Sequence, residues 1–294
     1  MPGTDLILPD LILPSRLNQR WPYSGIDSLE HCLDKQHFQD YPYTVDYVYN
    51  SRGFRDQEWS DSDKELRDAI WCFGDSFTVG IGQPLAHIWP QVLATATARR
   101  CINVSMDGAS NDWICRRAQE IWTAIRPQHM VIMWSYTHRR ELKDASLNDE
   151  LRILYSSDVN EEQDLAHWIN LANKIHKLNS NIVQCTIPDF HINMPMSRVT
   201  QCQAIWHAIK GEDWPACPCT MTELQSMPDW IITELKELHD CYSRMEYLLM
   251  PQRIEIMHDV IYIAERLDWA RDHHHFDILT SRWVVDQIMP RLCA

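Results

Sequence analysis

The chain has 294 residues, enough to bury a large core, and its 45% hydrophobic and 23% charged residues are the proportions of a soluble globular protein. A balance of 27 basic against 41 acidic residues leaves a net charge of −14, which argues against nucleic acid or an anionic membrane as partner, because both require a basic face. No stretch approaches the ~18 apolar residues of a membrane-spanning helix. The N-terminus shows neither a basic start nor an unbroken apolar run, so no signal peptide is expected and a cytoplasmic location is.

Asp-Leu-Ile-Leu-Pro occurs at 5–9 and again at 10–14. Prolines at that spacing forbid a helix and spoil a central strand, so an extended arm is expected, packed on its own domain or on a neighbouring subunit. Residues 41–56 alternate like a half-exposed strand ending in a glycine turn. Ile70 to Phe73 read as a short buried strand, and Gly74-Asp75-Ser76 turn the chain at its end. Strands expected near 70–74, 101–105, 129–135 and 181–187 alternate with helical periodicity over 85–99, 111–126 and 160–179, the pattern of a parallel sheet. Between Asp189 and about Ile263 the rhythm breaks. Residues 190–228 are rich in Met, Cys, Pro and Trp, and an amphipathic helix is expected at 229–249, with Leu235, Leu238, Tyr242, Met245 and Leu248 on one face. Region 190–260 is therefore read as a mostly helical insertion covering or flanking a crevice. A closing helix is expected at 280–289, with Thr280 or Ser281 as its N-cap. The chain divides into an N-terminal arm and strand, 1–65, packed on the core, and a domain of 66–294 that carries the insertion.

Of the ten cysteines, Cys72, Cys101 and Cys185 lie in apolar strand-like runs and read as small buried hydrophobes, which suits a reducing compartment. Cys217-Pro-Cys219, with Cys202, His207 and Cys241 nearby, matches no familiar zinc spacing, so neither a metal nor another cofactor is expected.

Residues 71–82, Trp-Cys-Phe-Gly-Asp-Ser-Phe-Thr-Val-Gly-Ile-Gly, are the most informative segment. The reactive crevice of a parallel α/β sheet lies at the C-terminal ends of its strands. A serine there, flanked by glycines that let backbone approach a ligand, is placed like a nucleophile. The segment is not the G-x-S-x-G elbow. With Gly74, Asp75, Ser76, Thr78, Gly80 and Gly82 in place, it resembles the first motif of the SGNH (GDSL) hydrolases. The plainer alternative is a strand-to-helix turn capped by Asp75 or Ser76. Asn50, Gly53, Phe54 and Arg55 form an Asn-x-x-Gly-Phe-Arg element that also occurs in some SGNH-like proteins.

That family places an Asp-x-x-His pair before its C-terminal helix, and Asp272 and His275 fit the spacing and the location. By resemblance His275 is the general base, and Asp272 fixes its tautomer and stabilises the imidazolium. Phe276 stands where proline is usual. His273 and His274 leave a polar histidine loop or a metal-binding tract as alternatives. Asn103 to Gly108 resembles the second motif, with Ser105 in place of its first glycine, which implies that the N–H groups of Gly108 and Ser76 bind an oxyanion. Asp107-Gly108 is a tight turn under either reading. The third motif has lost its asparagine. Counting from the strand puts Thr137 near that position, with His138 or Arg139 as alternative donors. Arg139 and Arg140 read equally well as a solvated helix start paired with Glu141, and Asn111-Asp112 suit the N-terminus of the helix after the second strand.

The resemblance covers 50–189 and 262–290 in outline. It implies a flavodoxin-like three-layer α/β/α sandwich with a parallel sheet, to which the sequence pattern adds an N-terminal arm and a helical insertion that the resemblance does not cover. It further implies a serine esterase with catalytic Ser76, Asp272 and His275 and oxyanion donors at Ser76, Gly108 and Thr137. The substrate would be a small-molecule or glycan acyl ester, preferably acetyl, since no long apolar stripe marks a lipid tunnel. An O-acyltransferase using the same residues, and a non-catalytic structural or glycan-binding protein on the same fold, are the alternatives. A homo-oligomer joined through the arm is a further option.

Overall fold

The computed structural model describes residues 11–141, 161–179, 181–188, 260–263 and 266–292. A short antiparallel pair comes first, β1 (Arg20–Trp21) against β2 (Tyr47–Val48), with α1 (Lys35–Asp40) between them and α2 (Asp63–Asp68) after them. The central sheet is built from β3 (Ile70–Gly74), β4 (Cys101–Ser105), β5 (His129–Trp134), β6 (Ile182–Thr186) and β7 (Val260–Ile261), all parallel, in the order β4-β3-β5-β6-β7. Every residue of β3, β4 and β6 is buried. A strand covered on both faces reads as a mainly apolar run rather than an alternation, most plainly in β3; Asn103 and Ser105 in β4 and Gln184 and Thr186 in β6 are buried polar exceptions.

Helices fill both faces. α4 (Trp89–Thr97) packs on β4 and on α7 (Ile278–Leu292), which reaches β6. On the other face α5 (Asn111–Ile125) packs on β3, β5 and α6 (Glu161–His176). Ile114, Ala118, Ile121 and Ile125 form the buried stripe of α5 at helical spacing. The result is a three-layer α/β/α sandwich with flavodoxin-like strand order. β3, the first sheet strand in the chain, lies between the second and third, so the connections leave in opposite directions there. The crevice of such a sheet opens at that switch point, outside the C-terminal ends of β3 and β5. Ser76 lies two residues beyond the end of β3.

The core is rich in indole. Trp71, Trp89, Trp113, Trp134 and Trp168 are all fully buried. Trp71 donates to the Leu66 carbonyl at 2.8 Å, Trp89 to the Thr78 hydroxyl at 3.2 Å and Trp134 to Gln184 at 2.9 Å, so these three rings bury apolar area without stranding their N–H groups. Leu11 and Leu13 enter the same core, and Leu13 N–H donates to the Arg52 carbonyl at 2.9 Å. This part of the arm packs on its own chain. Cys72, Cys101 and Cys185 are buried free thiols, as are Cys32 and Cys115.

Four expectations need correction. The helical periodicity over 85–99 is a 3₁₀ turn, Leu85–His87, followed by α4 from Trp89. Pro90 sits in the first turn of α4, where its missing N–H costs nothing. Only Tyr47–Val48 of the alternating 41–56 segment is strand. Beyond it the Asn50 carboxamide accepts from the N–H groups of Arg52 and Phe54, both at 3.0 Å, and turns the chain. α7 begins at Ile278 rather than Thr280. Asp268 provides the cap from upstream, accepting from the N–H groups of Leu279 at 2.7 Å and Thr280 at 3.0 Å, while the Thr280 hydroxyl donates to it at 2.7 Å. Strand β7 was not anticipated. The expected helix at 229–249 and Cys202, His207, Cys217, Cys219 and Cys241 lie outside the described residues. No helix among the described residues is long and apolar enough to cross a membrane.

Candidate active site

The turn after β3 is organised by a carboxylate. Asp75, fully buried, accepts from the Phe77 N–H at 3.0 Å and so caps α3 (Ser76–Val79). Its other oxygen accepts from the Ser135 hydroxyl at 2.6 Å and from Arg139 Nη1 at 3.1 Å. The cap of the plainer reading therefore exists, and because Asp75 performs it the Ser76 hydroxyl is released for another partner. α3 ends at Val79 with Gly80 as its C-cap, and the chain turns again at Gly82, whose φ is +75°. A Cβ on Gly82 would stand 3.1 Å from the Arg271 nitrogen and 3.2 Å from that of Asp272. Glycine there lets the serine turn lie directly against the 270–277 loop.

On that loop, Asp272 Oδ1 accepts from the backbone N–H groups of His274 and His275, both at 3.0 Å. Its Oδ2 lies 2.6 Å from His275 Nδ1, and His275 Nε2 lies 2.8 Å from Ser76 Oγ. A carboxylate facing Nδ1 fixes the proton on that nitrogen and leaves Nε2 to accept from the Ser76 hydroxyl. Phe77 packs against the imidazole with ring centres 4.6 Å apart. Ser76, Asp272 and His275 are each less than 5% exposed, at 3%, 0% and 4%, so their charges act on one another with little solvent screening. Burial alone would raise the Asp272 carboxyl. The attraction of His275, its hydrogen bond and the two backbone N–H groups outweigh that and bring it down to about 2.

The other two rings of the run take different places, that of His274 standing edge-on to His275 with ring centres 4.9 Å apart. His273 lies between Trp269 and His37, with ring centres at 5.0 and 4.7 Å. His274 is lowered from its ordinary 6.5 to about 4, first by burial and then by His275, against the pull of Asp272. A group that resists protonation when folded contributes full stability above 6.5, and that contribution is lost as the pH falls from 6.5 through 4. Asp272 keeps its own contribution down to its ordinary 3.8 and loses it as the pH falls toward 2. Urea titrations of His274→Gln should show the slope of stability against pH flattened between 6.5 and 4, by roughly 2 kcal/mol at the lower end. Among the described residues no group of three His, Cys, Asp or Glu side chains could hold a metal ion.

Gly108 sits in the loop after β4 with φ +74°. Its loop is tied to the serine turn by Met106 N–H donating to the Gly74 carbonyl at 3.3 Å. Neither the Gly108 nor the Ser76 N–H has an acceptor among the described residues. Asn103 braces the same turn from within β4, donating to the Thr78 carbonyl at 3.0 Å, and Ser105, in place of the motif's glycine, donates to the Asn103 carboxamide at 2.5 Å. Thr137 is 8% exposed, and its hydroxyl makes no hydrogen bond among the described residues.

The loop after β5 departs from its solvated reading. No helix starts there among the described residues, and the three charged side chains part company: Arg139 pairs with Asp75, Arg140 with Asp164, and Glu141 with Arg116. Asn111 opens α5 as expected, one residue after its cap Ser110, yet its carboxamide reaches across the sheet. It accepts from Ser135 N–H at 2.8 Å and donates to the carbonyls of Ser135 and Tyr136 at 3.2 and 3.0 Å, which fixes the loop that carries Thr137.

Three further residues, Tyr47, Asp27 and Arg271, hold the site and carry no sequence signal of that role. Tyr47 accepts from the Gly82 N–H at 2.7 Å and donates to Asp27 at 2.5 Å, while Arg271 donates to both Asp27 oxygens at 2.8 and 2.6 Å. Asp27 thereby joins the serine turn to the histidine loop.

No family model matches the chain, and no curated protein matches it in sequence. Among solved structures it is similar to TesA, with 13% identity, a TM-score of 0.42, and 76% of this chain and 98% of that chain covered. It is also similar to a family two carbohydrate esterase from Clostridium thermocellum in complex with cellohexaose, at 11% identity and a TM-score of 0.38, with 77% of this chain and 64% of that chain covered. A GDSL-like lipase from Bacteroides thetaiotaomicron matches at 10% identity and a TM-score of 0.37, with 79% and 90% covered.

Proposed function

We propose that the protein is a serine ester hydrolase of SGNH type, acting on a short-chain ester, acetyl by preference, of a carbohydrate or other small molecule. The observation that carries this reading is the chain of hydrogen bonds from Asp272 through His275 to Ser76. A serine hydroxyl attacks poorly unless a base takes its proton and a third group orients the base. Ser76 Oγ adds to the ester carbonyl carbon as its proton passes to His275 Nε2, and Asp272 stabilises the imidazolium so formed. The carbonyl oxygen takes up the negative charge and is met by the N–H groups of Ser76 and Gly108, with the Thr137 hydroxyl as a third donor. One such donor is worth about 3 kcal/mol of barrier. Collapse expels the alcohol, which takes the proton back from Nε2. Water then repeats the sequence on the acyl-serine and releases the acid.

The acetyl preference rests on the absence of a long apolar stripe in the sequence that could line an acyl tunnel. A series of p-nitrophenyl esters tests it: kcat/KM should fall about tenfold or more from acetyl to octanoyl. A rise along the series would replace the short-acyl reading with a lipolytic one.

A further inference from the structure

Asp75 sets a charge immediately beside the proposed nucleophile. Its carboxylate is needed to cap α3, yet it is wholly buried and lies one residue from the place where a second negative charge develops. The Ser135 hydroxyl solvates it at 2.6 Å without cancelling its charge. The cation that does so is Arg139, 3.1 Å away, with its guanidinium lying 5.0 Å from the centre of the Tyr136 ring and 3.3 Å from the Ser135 hydroxyl. Asn111 holds this loop in place through three hydrogen bonds to the backbone of Ser135 and Tyr136. The third-motif loop, having lost its asparagine, thus sends a guanidinium to the serine turn, and that guanidinium meets the carboxylate.

We infer that Arg139 is a positioning residue of this site, keeping the Asp75 charge from standing unopposed beside Ser76. The inference rests on the serine-hydrolase reading above for its catalytic meaning, and on the geometry alone for its electrostatic meaning. Among the described residues, the charged and titratable groups around the Ser76–His275 pair are Asp272 and His274 on the histidine loop, Arg266, which donates to the His274 carbonyl, Tyr136 and Arg139 from the loop after β5, and Asp75 beside Ser76. Removing Arg139 alone leaves an uncompensated negative charge in this set. That charge favours the imidazolium and opposes the oxyanion.

The test is an NMR titration of the His275 imidazole in the full chain, assigned against His275→Gln, together with p-nitrophenyl acetate kinetics. Arg139→Met should raise the His275 midpoint by about one pH unit and lower kcat about tenfold, with KM changed little. Arg139→Lys, which keeps the charge, should stay near wild type. The neutral pair Asp75→Asn/Arg139→Met should bring the midpoint back. Arg140→Met, whose native partner is Asp164, should leave it unmoved. Should Arg139→Met fail to fold, Asp75→Asn alone reads the same coupling with opposite sign, as a lowered midpoint. A folded Arg139→Met with the wild-type midpoint, or an Asp75→Asn that does not lower it, overturns the inference. Turnover that survives Ser76→Ala removes the hydrolase reading instead, and the titration still judges Arg139.

Discussion

Ser76→Ala should abolish p-nitrophenyl acetate hydrolysis, by about 10⁴-fold or more in kcat, while leaving the urea midpoint nearly unchanged. The two halves of this expectation have separate causes. Among the described residues the Ser76 side chain makes one hydrogen bond, to His275 Nε2, and the cap that a serine in this place often provides is supplied by Asp75. Alanine loses the attacking oxygen and keeps the methylene that fills the site, so little folding energy depends on the hydroxyl. Background hydrolysis can persist through binding and the backbone donors, but equal turnover by wild type and variant would remove Ser76 as the nucleophile.

Arg55→Ala should cost about 4 kcal/mol of folding stability, the largest loss expected of any single polar residue here. Arg55 is 2% exposed. Its guanidinium donates to the carbonyls of Val79 at 3.1 Å, Gly80 at 2.5 Å, Asp46 at 3.0 Å and Gln83 at 2.7 Å, and lies 4.3 Å from the centre of the Tyr47 ring. Three of those carbonyls belong to the end of α3 and the turn after it, where no helical partner remains for them. Alanine removes this donor from all of them and leaves a cavity; the Gly80 carbonyl keeps the Gln83 N–H at 3.1 Å, and each buried acceptor left unpaired costs about 1–3 kcal/mol. Burial also lowers the affinity of Arg55 for its proton, so part of the gross gain is offset in the native protein. Arg55→Lys retains the charge but not the planar fork and should recover only part of the loss. Denaturant unfolding at neutral pH measures both variants. A shift below about 1 kcal/mol for the alanine variant would show that the clamp is dispensable.

What the sequence made legible follows from how local each signal is. β3 and β5 are apolar runs, and β4 and β6 are largely so, and such runs read as buried strands without knowledge of the rest of the chain. Asp272 and His275 are three residues apart on one loop, so a spacing could find them, and the glycines after Ser76 mark a turn that only small residues permit. The elements that misled or stayed hidden depend on partners far along the chain. Asp268 caps α7 across ten positions, and no local pattern separates it from a solvated aspartate. Arg139 and Arg140 look like one exposed basic pair, yet they reach Asp75 and Asp164 on different elements. Residues 41–56 alternate correctly for a strand, but the Asn50 turn and the burial of Arg55 claim the backbone that a longer strand would need. β7 is two residues long, and its Val-Ile pair is too short a run to announce itself.

The central claim is that the Ser76 hydroxyl, activated by His275, is the group that attacks. Reaction of the full chain with a fluorophosphonate, followed by peptide mass mapping, measures this most directly. One phosphonyl adduct on the peptide containing Ser76 is the expected result, absent from Ser76→Ala and strongly slowed in His275→Gln. No adduct, an adduct on another residue, or labelling of Ser76→Ala to the wild-type extent would contradict it.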